Sequence, residues 1–406
     1  MRRAVRRAAL VGALAVTALG AAALLLARDR GGTASDAGGP DAATRRLLDA
    51  LGYAEWVEGE AAAPGGVLRH DPARAWPGLN LYSSLPLAAA HLMTNDGRDV
   101  HTWRDPAPRA KGWVHVVLAP DGALLSLDGN GVVARWDADS RLLWREALDA
   151  HHDLLVDARG RVLVLTRRLG RLRRGAEEIP IVDDCVVTLG ADGTRQGETC
   201  LGGILGPLIP EERLRRIPRD LPRALDPDER AARTLDVFHT NSLAFLERDL
   251  PGVGAAGDLL LSVRNLDRLA VVDLAAHALR WSWGPGVVDA QHQAIPLASG
   301  NVMLFDNGRR RRWSRVLELE PAGGAIAWQY GEAAGARFFS AQRGGCQPLA
   351  SGNVLVTDSD SGRAFEVTRA GEVVWEFLNP HVYRGRRAAI YRVTRLSLDD
   401  PRLPER

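Results

Sequence analysis

Residues 294–330 read AIPLASGNVMLFDN…RVLELEPAGGAIAWQY, and residues 346–377 read CQPLASGNVLVTDS…AFEVTRAGEVVWEF. The two stretches align almost residue for residue. Each consists of short runs rich in β-branched and aromatic residues, bounded by glycine and other turn residues, which is typical of β-strands. Each stretch therefore predicts a unit of four strands, with a glycine in the first turn and a tryptophan in the last strand.

The same unit recurs along most of the chain. Similar stretches begin at Asn80, Val114, His152 and Gly257. Tryptophans lie at matching positions, about 41 to 47 residues apart where no insertion intervenes: Trp103, Trp144, Trp281, Trp328 and Trp375. Four antiparallel strands in about 40–50 residues is typical of a propeller blade. The predicted fold class is therefore all-β, a six-bladed β-propeller of four-stranded antiparallel blades.

The ends of the repeat region predict how the ring closes. The first unit lacks an innermost strand before Leu79, and the run AAIYRVTRL at 388–396 has no blade of its own. We expect this run to supply the inner strand of blade 1, because closure removes open sheet edges. The predicted propeller domain is 76–396, followed by a tail at 397–406.

The N-terminus predicts a location. Four arginines within the first seven residues precede an uncharged stretch over residues 8–27, which is long enough to span a bilayer as a helix. The basic flank predicts an N-terminal transmembrane anchor over 1–28, with the rest of the chain outside the cytoplasm and tethered to the cytoplasmic membrane. A cleaved signal peptide, with secretion, is the alternative. Residues 29–75 are expected to form a linker and a short amphipathic helix over 41–51.

Composition excludes some classes of protein. The 406 residues carry a net charge of only +2, so no concentrated basic face for nucleic acid is expected.

Three cysteines are too few for a disulfide scaffold. Cys185 and Cys200 flank a hairpin with an Asp192–Gly193 turn and lie opposite each other by count, which favours a disulfide between them and leaves Cys346 unpaired. The insertion at 201–235 is interpreted as a surface loop or a lid.

Polar residues at repeated positions predict a site at one mouth of the channel. The position eight residues before the first turn glycine is a histidine in blades 3 and 5, and the opening of blade 4 supplies a third: His152, His292 and His239. The second strands return to the same mouth and end at Arg167, Arg264 and Asn307, while Asn241 follows His239 by two residues. There are two alternatives. The three histidines share these positions by coincidence and have only structural roles, or they bind a zinc ion. The arginine run at 309–312 is expected to be a solvated hairpin.

Several of these motifs resemble one known family. HHD at 151–153, DVFHTNS at 236–242, LLLSVRN at 259–265 and QHQAIPLASGNVMLFDNG at 291–308 are similar to motifs of the bacterial arylsulfate sulfotransferases. The resemblance covers roughly residues 76 to 396. It implies a six-bladed, exported enzyme that moves a sulfuryl group between phenols, with no cofactor, no metal and no nucleotide sulfate donor.

The resemblance also implies roles for individual residues. His292 corresponds to the nucleophile that forms a sulfohistidine, His152 and His239 to assisting histidines, and Arg264 to the sulfate-binding arginine. Asn241, Asn307 and Arg167 are expected to contact the substrates, which would be an aryl sulfate and a phenol. Two other functions stay open, namely a non-catalytic scaffold that binds a ligand or protein, and a quinoprotein-like dehydrogenase.

Overall fold

Blades arranged around a common axis form the body of the protein. The computed structural model describes residues 57, 64–107, 111–219 and 233–404, and in this part of the chain six antiparallel sheets have four or more strands. Their innermost strands contact one another in a closed ring. The six-bladed, all-β propeller predicted from the repeats is confirmed.

The strands follow the repeat units closely. In the described residues they are, in chain order, β1 (Gly66–His70), β2 (Leu79–Ser84), β3 (Ala89–Thr94), β4 (Asp99–Arg104), β5 (Trp113–Leu118), β6 (Leu124–Asp128), β7 (Val132–Trp136), β8 (Leu142–Ala147), β9 (Ala150–Val156), β10 (Val162–Arg174), β11 (Glu177–Leu189), β12 (Arg195–Cys200), β13 (Thr240–Phe245), β14 (Leu259–Val263), β15 (Arg268–Asp273), β16 (Ala278–Trp283), β17 (His292–Pro296), β18 (Val302–Asp306), β19 (Arg315–Glu320), β20 (Ala325–Tyr330), β21 (Gly345–Pro348), β22 (Val354–Asp358), β23 (Arg363–Val367), β24 (Val373–Leu378), β25 (Val382–Tyr383), β26 (Arg386–Arg387) and β27 (Ile390–Leu396). Blades 2 to 5 each take four consecutive strands, from β5 to β20. Blade 6 has the order β21-β22-β23-β24-β1, and β25 pairs with β26.

The ring closes through the last strand. Blade 1 has the order β27-β2-β3-β4, with Leu396 opposite Leu79 and Val393 opposite Tyr82. The inner strand of the first blade is thus supplied from the C-terminal end of the chain, about 300 residues away in sequence. Both edges of β2 are paired as a result, and blade 1 has four strands like blades 2 to 5.

Three of the five repeated tryptophans connect their blade to the next. Trp144, Trp328 and Trp375 donate their indole N–H to the carbonyls of Ala191, Arg369 and Asn95, at 2.9, 3.0 and 2.8 Å respectively. Each carbonyl lies in the turn between the third and fourth strands of the following blade. A tryptophan in this position covers apolar surface and satisfies its one polar atom across the blade interface, which accounts for its recurrence with the repeat.

One strand lies where the sequence predicts linker. β1 falls within 29–75 and pairs antiparallel with β24, so that Val67 lies opposite Phe377. It covers the outer edge of blade 6, which would otherwise expose unpaired backbone groups. The assignment of all of 29–75 to a linker and a short helix is therefore wrong for Gly66–His70.

The insertion after blade 3 is folded against the propeller. Two short helices, α1 (Gly202–Leu205) and α2 (Glu211–Arg215), bury Leu205 and Leu214 against the long β10–β11 hairpin and blade 4. Arg213 donates to the backbone carbonyls of Asn265 and Asp236. Residues 201–219 are therefore neither a loose loop nor an open lid, and residues 220–232 lie outside the described part.

The disulfide predicted from the hairpin is present. Cys185 and Cys200 face each other across β11 and β12 and are joined through their sulfur atoms. Cys346 is the remaining cysteine and is buried.

Loss of this disulfide is expected to destabilise the protein. The bond closes a loop of 15 residues, for which the chain-entropy model predicts about 2–4 kcal/mol. Replacing both cysteines by alanine should lower the free energy of unfolding by that amount in a denaturant titration. A reductant should shift the denaturation midpoint of the wild type to a lower denaturant concentration and leave that of the double variant unchanged. A wild-type midpoint that does not shift would contradict the prediction.

The predicted anchor (1–28), the helix over 41–51 and most of the linker lie outside the described residues. In the part of the chain that the structure describes, no helix has the length and apolar character needed to cross a membrane.

Candidate functional site

Three consecutive blades bend their inner strands at the same mouth of the ring. The pairing register shifts between Thr240 and Ser242 on β13, and between His292 and Ala294 on β17. On β9 the regular pairing is likewise interrupted before Leu154. Such bulges insert an extra residue and redirect side chains, and they are common beside functional sites.

The bulges bring together the three histidines that the repeats single out. The ring of His152 lies 4.7 Å from that of His239 and 6.2 Å from that of His292, between centroids. His152 and His239 adopt left-handed backbone conformations, with φ of 61° and 50°. Non-glycine residues in this region carry strain that the surrounding structure must hold in place, which is a recurring property of functional sites.

His292 is held in one tautomer by a neighbouring amide. Asn307 donates both amide hydrogens to backbone carbonyls, those of Ser340 at 2.8 Å and Arg343 at 2.7 Å. Its Oδ1 must therefore accept, and it lies 2.7 Å from Nδ1 of His292. The proton of the neutral ring is then on Nδ1 and the lone pair on Nε2, where the backbone N–H of Arg343 donates at 3.2 Å. Asn307 thus positions His292, instead of presenting a free amide to substrate as the sequence analysis expects.

A carboxylate that the sequence analysis does not select orients His239. Nδ1 of His239 hydrogen-bonds to Oδ2 of Asp236, which is 6% exposed. The backbone carbonyl of Asp236 in turn accepts from the side chains of Asn265 and Arg213. Asp236 belongs to the DVFHTNS motif, and its spacing of three residues from His239 is the signal that points to it.

His152 also has a partner that the sequence analysis misses. Nδ1 of His152 lies 2.6 Å from Nδ1 of the adjacent His151, so one of the two nitrogens donates to the other. On its far side, Nε2 of His151 is 3.5 Å from a carboxylate oxygen of Asp184. The two neighbouring rings are perpendicular, with 87° between their planes. The tautomer of His152 is therefore linked to that of His151.

Arg264 lies at the end of β14, beside the histidines. Its backbone N–H donates to the carbonyl of His239 at 3.3 Å, and its guanidinium donates to the Asn265 side chain at 2.7 Å. Arg167 is close enough to lower the pKa of His152 and Asp236 electrostatically. Both arginines are thus placed at the mouth that the repeats predict.

Asn241 has a structural contact. Its amide N–H donates to the backbone carbonyl of Gln291 at 2.8 Å, which connects blade 4 to the residue before His292. Its Oδ1 is buried and has no hydrogen-bond partner among the described residues. An amide oxygen repels an anion, so the free atom is not one that would bind a sulfuryl oxygen.

Burial disfavours the charged form of all three rings. It lowers the pKa of His292 well below the usual value, and the cationic Arg264 lowers it further. Burial also lowers the pKa of His152 strongly, with added repulsion from His239 and His151. The pKa of His239 is lowered by burial too, but Asp236 opposes the shift because its carboxylate favours the charged ring.

A pocket of about 450 Å³ opens next to Arg264. Its lining residues are Arg264, Asn265, Asp267, Asp289, Ala290, Arg309, Arg310, Arg312, Phe339 and Ala341. Three members of the 309–312 run therefore line a pocket beside the site, although all three remain exposed in the β18–β19 hairpin, as the sequence predicts. Arg310 pairs with Asp267 of blade 4, and Arg311 pairs with Asp306 at the end of β18.

Potential metal ligands cluster elsewhere. In residues 64–107, 111–219 and 233–404, the one group of three that brings its ligand atoms within 4.8 Å is Asp183, Cys185 and Cys200. Two of its members are joined in the disulfide and so offer no thiolate.

Comparison with known proteins gives a family match over part of the chain. Residues 210–380 match the family described as Arylsulfotransferase (ASST). The matched segment contains His239, Arg264 and His292, whereas His152 precedes it. None of the curated proteins matches the chain by sequence.

Solved structures share the fold. A protein of unknown function from Bacteroides caccae is 13% identical with a TM-score of 0.50, over 79% of this chain and 99% of that chain. The nidogen/laminin complex (12%, TM-score 0.46, 78% and 97%) and a streptogramin B lyase (12%, 0.43, 84% and 97%) are more remote. At such identity the Bacteroides protein supports the propeller fold alone. The match at residues 210–380 thus makes this part of the chain similar to the arylsulfotransferase family.

Proposed function

We propose that the protein transfers a sulfuryl group from an aryl sulfate to a phenol, through a covalent intermediate on His292. The observation that carries the proposal is the fixed tautomer of His292, whose Nε2 lone pair lies among two further histidines and Arg264. A neutral imidazole is a good nucleophile, and one that accepts and then releases the group divides a difficult transfer into two easier steps.

In the first step, Nε2 of His292 attacks the sulfur atom and the bond from sulfur to the aryl oxygen breaks. The electron pair of that bond leaves on the phenolate, which takes a proton from an acid. Sulfuryl transfer resembles phosphoryl transfer, because charge on the equatorial oxygens is stabilised by positioned cations and donors. Arg264 offers a planar pair of N–H donors for two oxygens. The backbone N–H of Arg343 donates to Nε2 in the free protein, and it would turn to a third oxygen once the lone pair of Nε2 bonds to sulfur.

We assign the acid and base role to His239. Asp236 holds its Nδ1, so Nε2 is the atom that exchanges a proton with the substrate, as in a base that is oriented by a carboxylate. Asp236 also stabilises the protonated ring of His239, whereas burial and the neighbouring rings of His239 and His151 disfavour protonation of His152. Protonated His239 gives its proton to the leaving phenolate, and the neutral ring later takes one from the incoming phenol, so protons balance over the cycle.

The remaining neighbours position these groups. His152, whose pKa burial lowers strongly, hydrogen-bonds through Nδ1 to His151 and places its ring beside those of His239 and His292. Asn307 and Asn241 hold His292 and the backbone before it.

We also propose that the protein acts outside the cytoplasm. The disulfide between Cys185 and Cys200 supports this location, because such bonds persist in oxidising compartments. The uncharged stretch at 8–27 behind basic residues supports export and tethering to the membrane. Fractionation of cells should find the protein on the outer side of the cytoplasmic membrane. Full-length protein that is soluble in the cytosol would contradict the proposal.

The function is tested with p-nitrophenyl sulfate and a phenol. We expect sulfation of the phenol with ping-pong kinetics, and a burst of p-nitrophenol when the acceptor is omitted. Tight binding of phenols or sulfate without any turnover would instead favour the scaffold. A bound quinone, visible in the absorbance spectrum, would favour the dehydrogenase.

The pH dependence tests the environment of His292. Protonated His292 cannot attack, so kcat/KM for p-nitrophenyl sulfate should fall as the pH drops through the pKa of His292. Because burial and Arg264 lower this pKa, the fall should begin below pH ~6.5, the ordinary histidine value. In Arg264→Gln the cation is lost and the pKa rises, so the same fall should begin at a higher pH. A fall in kcat/KM that begins at the same acidic pH in this variant as in the wild type would contradict the assignment of His292 as the nucleophile.

A further inference from the structure

The pocket beside Arg264 has features that the transfer of a sulfuryl group does not require. We define the arginine pocket by Arg309, Arg310, Arg312 and Phe339, which line it together with Arg264. Its volume of about 450 Å³ lies in the range of small-molecule sites. Arg264 therefore connects this pocket to the histidines.

The positive charge of the arginine pocket is only partly balanced. Arg310 lies 3.0 Å from a carboxylate oxygen of Asp267 and 3.5 Å from one of Asp289. Both carboxylates that line the pocket therefore pair with the same arginine. Asp267 also accepts a backbone hydrogen bond from Ala290. Arg309 and Arg312 are exposed and form no ion pair within the described residues. The pocket thus keeps two guanidinium groups available for an anion.

An aromatic surface lies next to these charges. The guanidinium of Arg312 lies over the ring of Phe339, 5.0 Å from its centroid. Phe339 itself is partly exposed in the pocket. A flat apolar ring flanked by cations suits a ligand that is itself aromatic and carries an anionic group.

We infer that the arginine pocket selects phenolic substrates that carry a second anionic group, such as a carboxylate, remote from the reacting oxygen. The inference rests on the proposed function and specifies its substrate class. With the reacting oxygen near His292 and Arg264, the phenol ring would extend along Phe339 and the second anion would meet Arg309 and Arg312.

The test compares two acceptors with the same phenol, 3-(4-hydroxyphenyl)propionate and its neutral amide, at saturating p-nitrophenyl sulfate. Exposed ion pairs are individually weak, so the acid should be preferred in kcat/KM by roughly three- to tenfold. The preference should decrease in Arg309→Gln and in Arg312→Gln, and should vanish in the double variant. Added salt should decrease it in the wild type.

Arg337→Gln is the matched control. It removes one exposed arginine from the same blade, where Arg337 lies over Trp313 and outside the pocket lining. This variant should keep the wild-type preference for the acid. Equal kcat/KM for acid and amide in the wild type, or a preference that survives in the double variant, would overturn the inference.

Calorimetric binding of the same two compounds separates this inference from the proposed function. If no donor supports transfer, the proposed function fails, and binding alone then decides on the pocket. Tighter binding of the acid that depends on Arg309 and Arg312 would support the arginine pocket. Equal binding of acid and amide would reject it.

Discussion

Replacing His292 by asparagine should reduce sulfuryl transfer by roughly 10⁴-fold or more, the scale seen when a nucleophile is removed. The variant keeps a polar side chain that still reaches Asn307, but it has no lone-pair nitrogen to attack sulfur. The burst of p-nitrophenol without acceptor should disappear as well. Stopped-flow and steady-state assays at matched substrate concentrations measure both effects.

His277→Asn is the control for this variant. His277 is exposed on the outer hairpin of blade 4, between β15 and β16, and the same substitution there should leave rate and burst unchanged. A His292 variant that retains the burst would show that another residue carries the sulfuryl group.

Truncation of the chain after Pro380 should unfold the propeller or leave it barely stable. The truncation removes β27 and with it the inner edge of blade 1. It also removes Arg395, which is fully buried and paired with Glu366, itself fully buried. Loss of one partner from a buried pair costs about 3–5 kcal/mol, and the lost strand adds to it. Thermal unfolding followed by circular dichroism, together with dye binding to exposed apolar surface, measures the result.

A shorter truncation after Asp399 serves as the control, because it retains β27 and its pairing with β2. We expect this variant to melt close to the wild type, apart from the small contribution of Arg402 and Leu403. Equal melting temperatures for the Pro380 truncation and the intact protein would contradict closure by the last strand.

Most of the architecture follows from the repeat, because each blade is a local unit that its own sequence encodes. Counting from an Asp–Gly turn was enough to place Cys185 opposite Cys200. The repeat does not predict β1, because this strand is not part of a local unit. Its partner β24 lies about 300 residues away, and a short edge strand without a repeat around it carries no periodic signal.

The site was predictable in position but not in detail. Repeated positions pointed to the three histidines and Arg264, since the propeller symmetry brings equivalent residues to one mouth. The contacts of Asp236, His151 and Asn307 depend on individual side chains and on left-handed residues, which the repeat does not encode. Their roles in orienting the rings therefore became visible only in three dimensions.

The arginine run shows a similar limit. In sequence, residues 309–312 occupy a turn between β18 and β19, where charge usually faces solvent. In the structure, Arg309, Arg310 and Arg312 do stay exposed, but they also line the pocket beside Arg264, and Arg310 pairs with Asp267. Arg311 pairs with Asp306 inside the same hairpin, but the acids that pair with Arg310, Asp267 and Asp289, come from other loops, so the sequence of the hairpin alone does not contain that contact.

The covalent intermediate is the central claim, and locating it tests that claim most directly. The protein is incubated with p-nitrophenyl sulfate in the absence of acceptor, quenched at alkaline pH, and digested for mass spectrometry. We predict the mass of one added SO₃ group on the peptide that contains His292, and its disappearance when a phenol is added before the quench. Turnover with no such adduct, or an adduct on a different residue, would contradict the account.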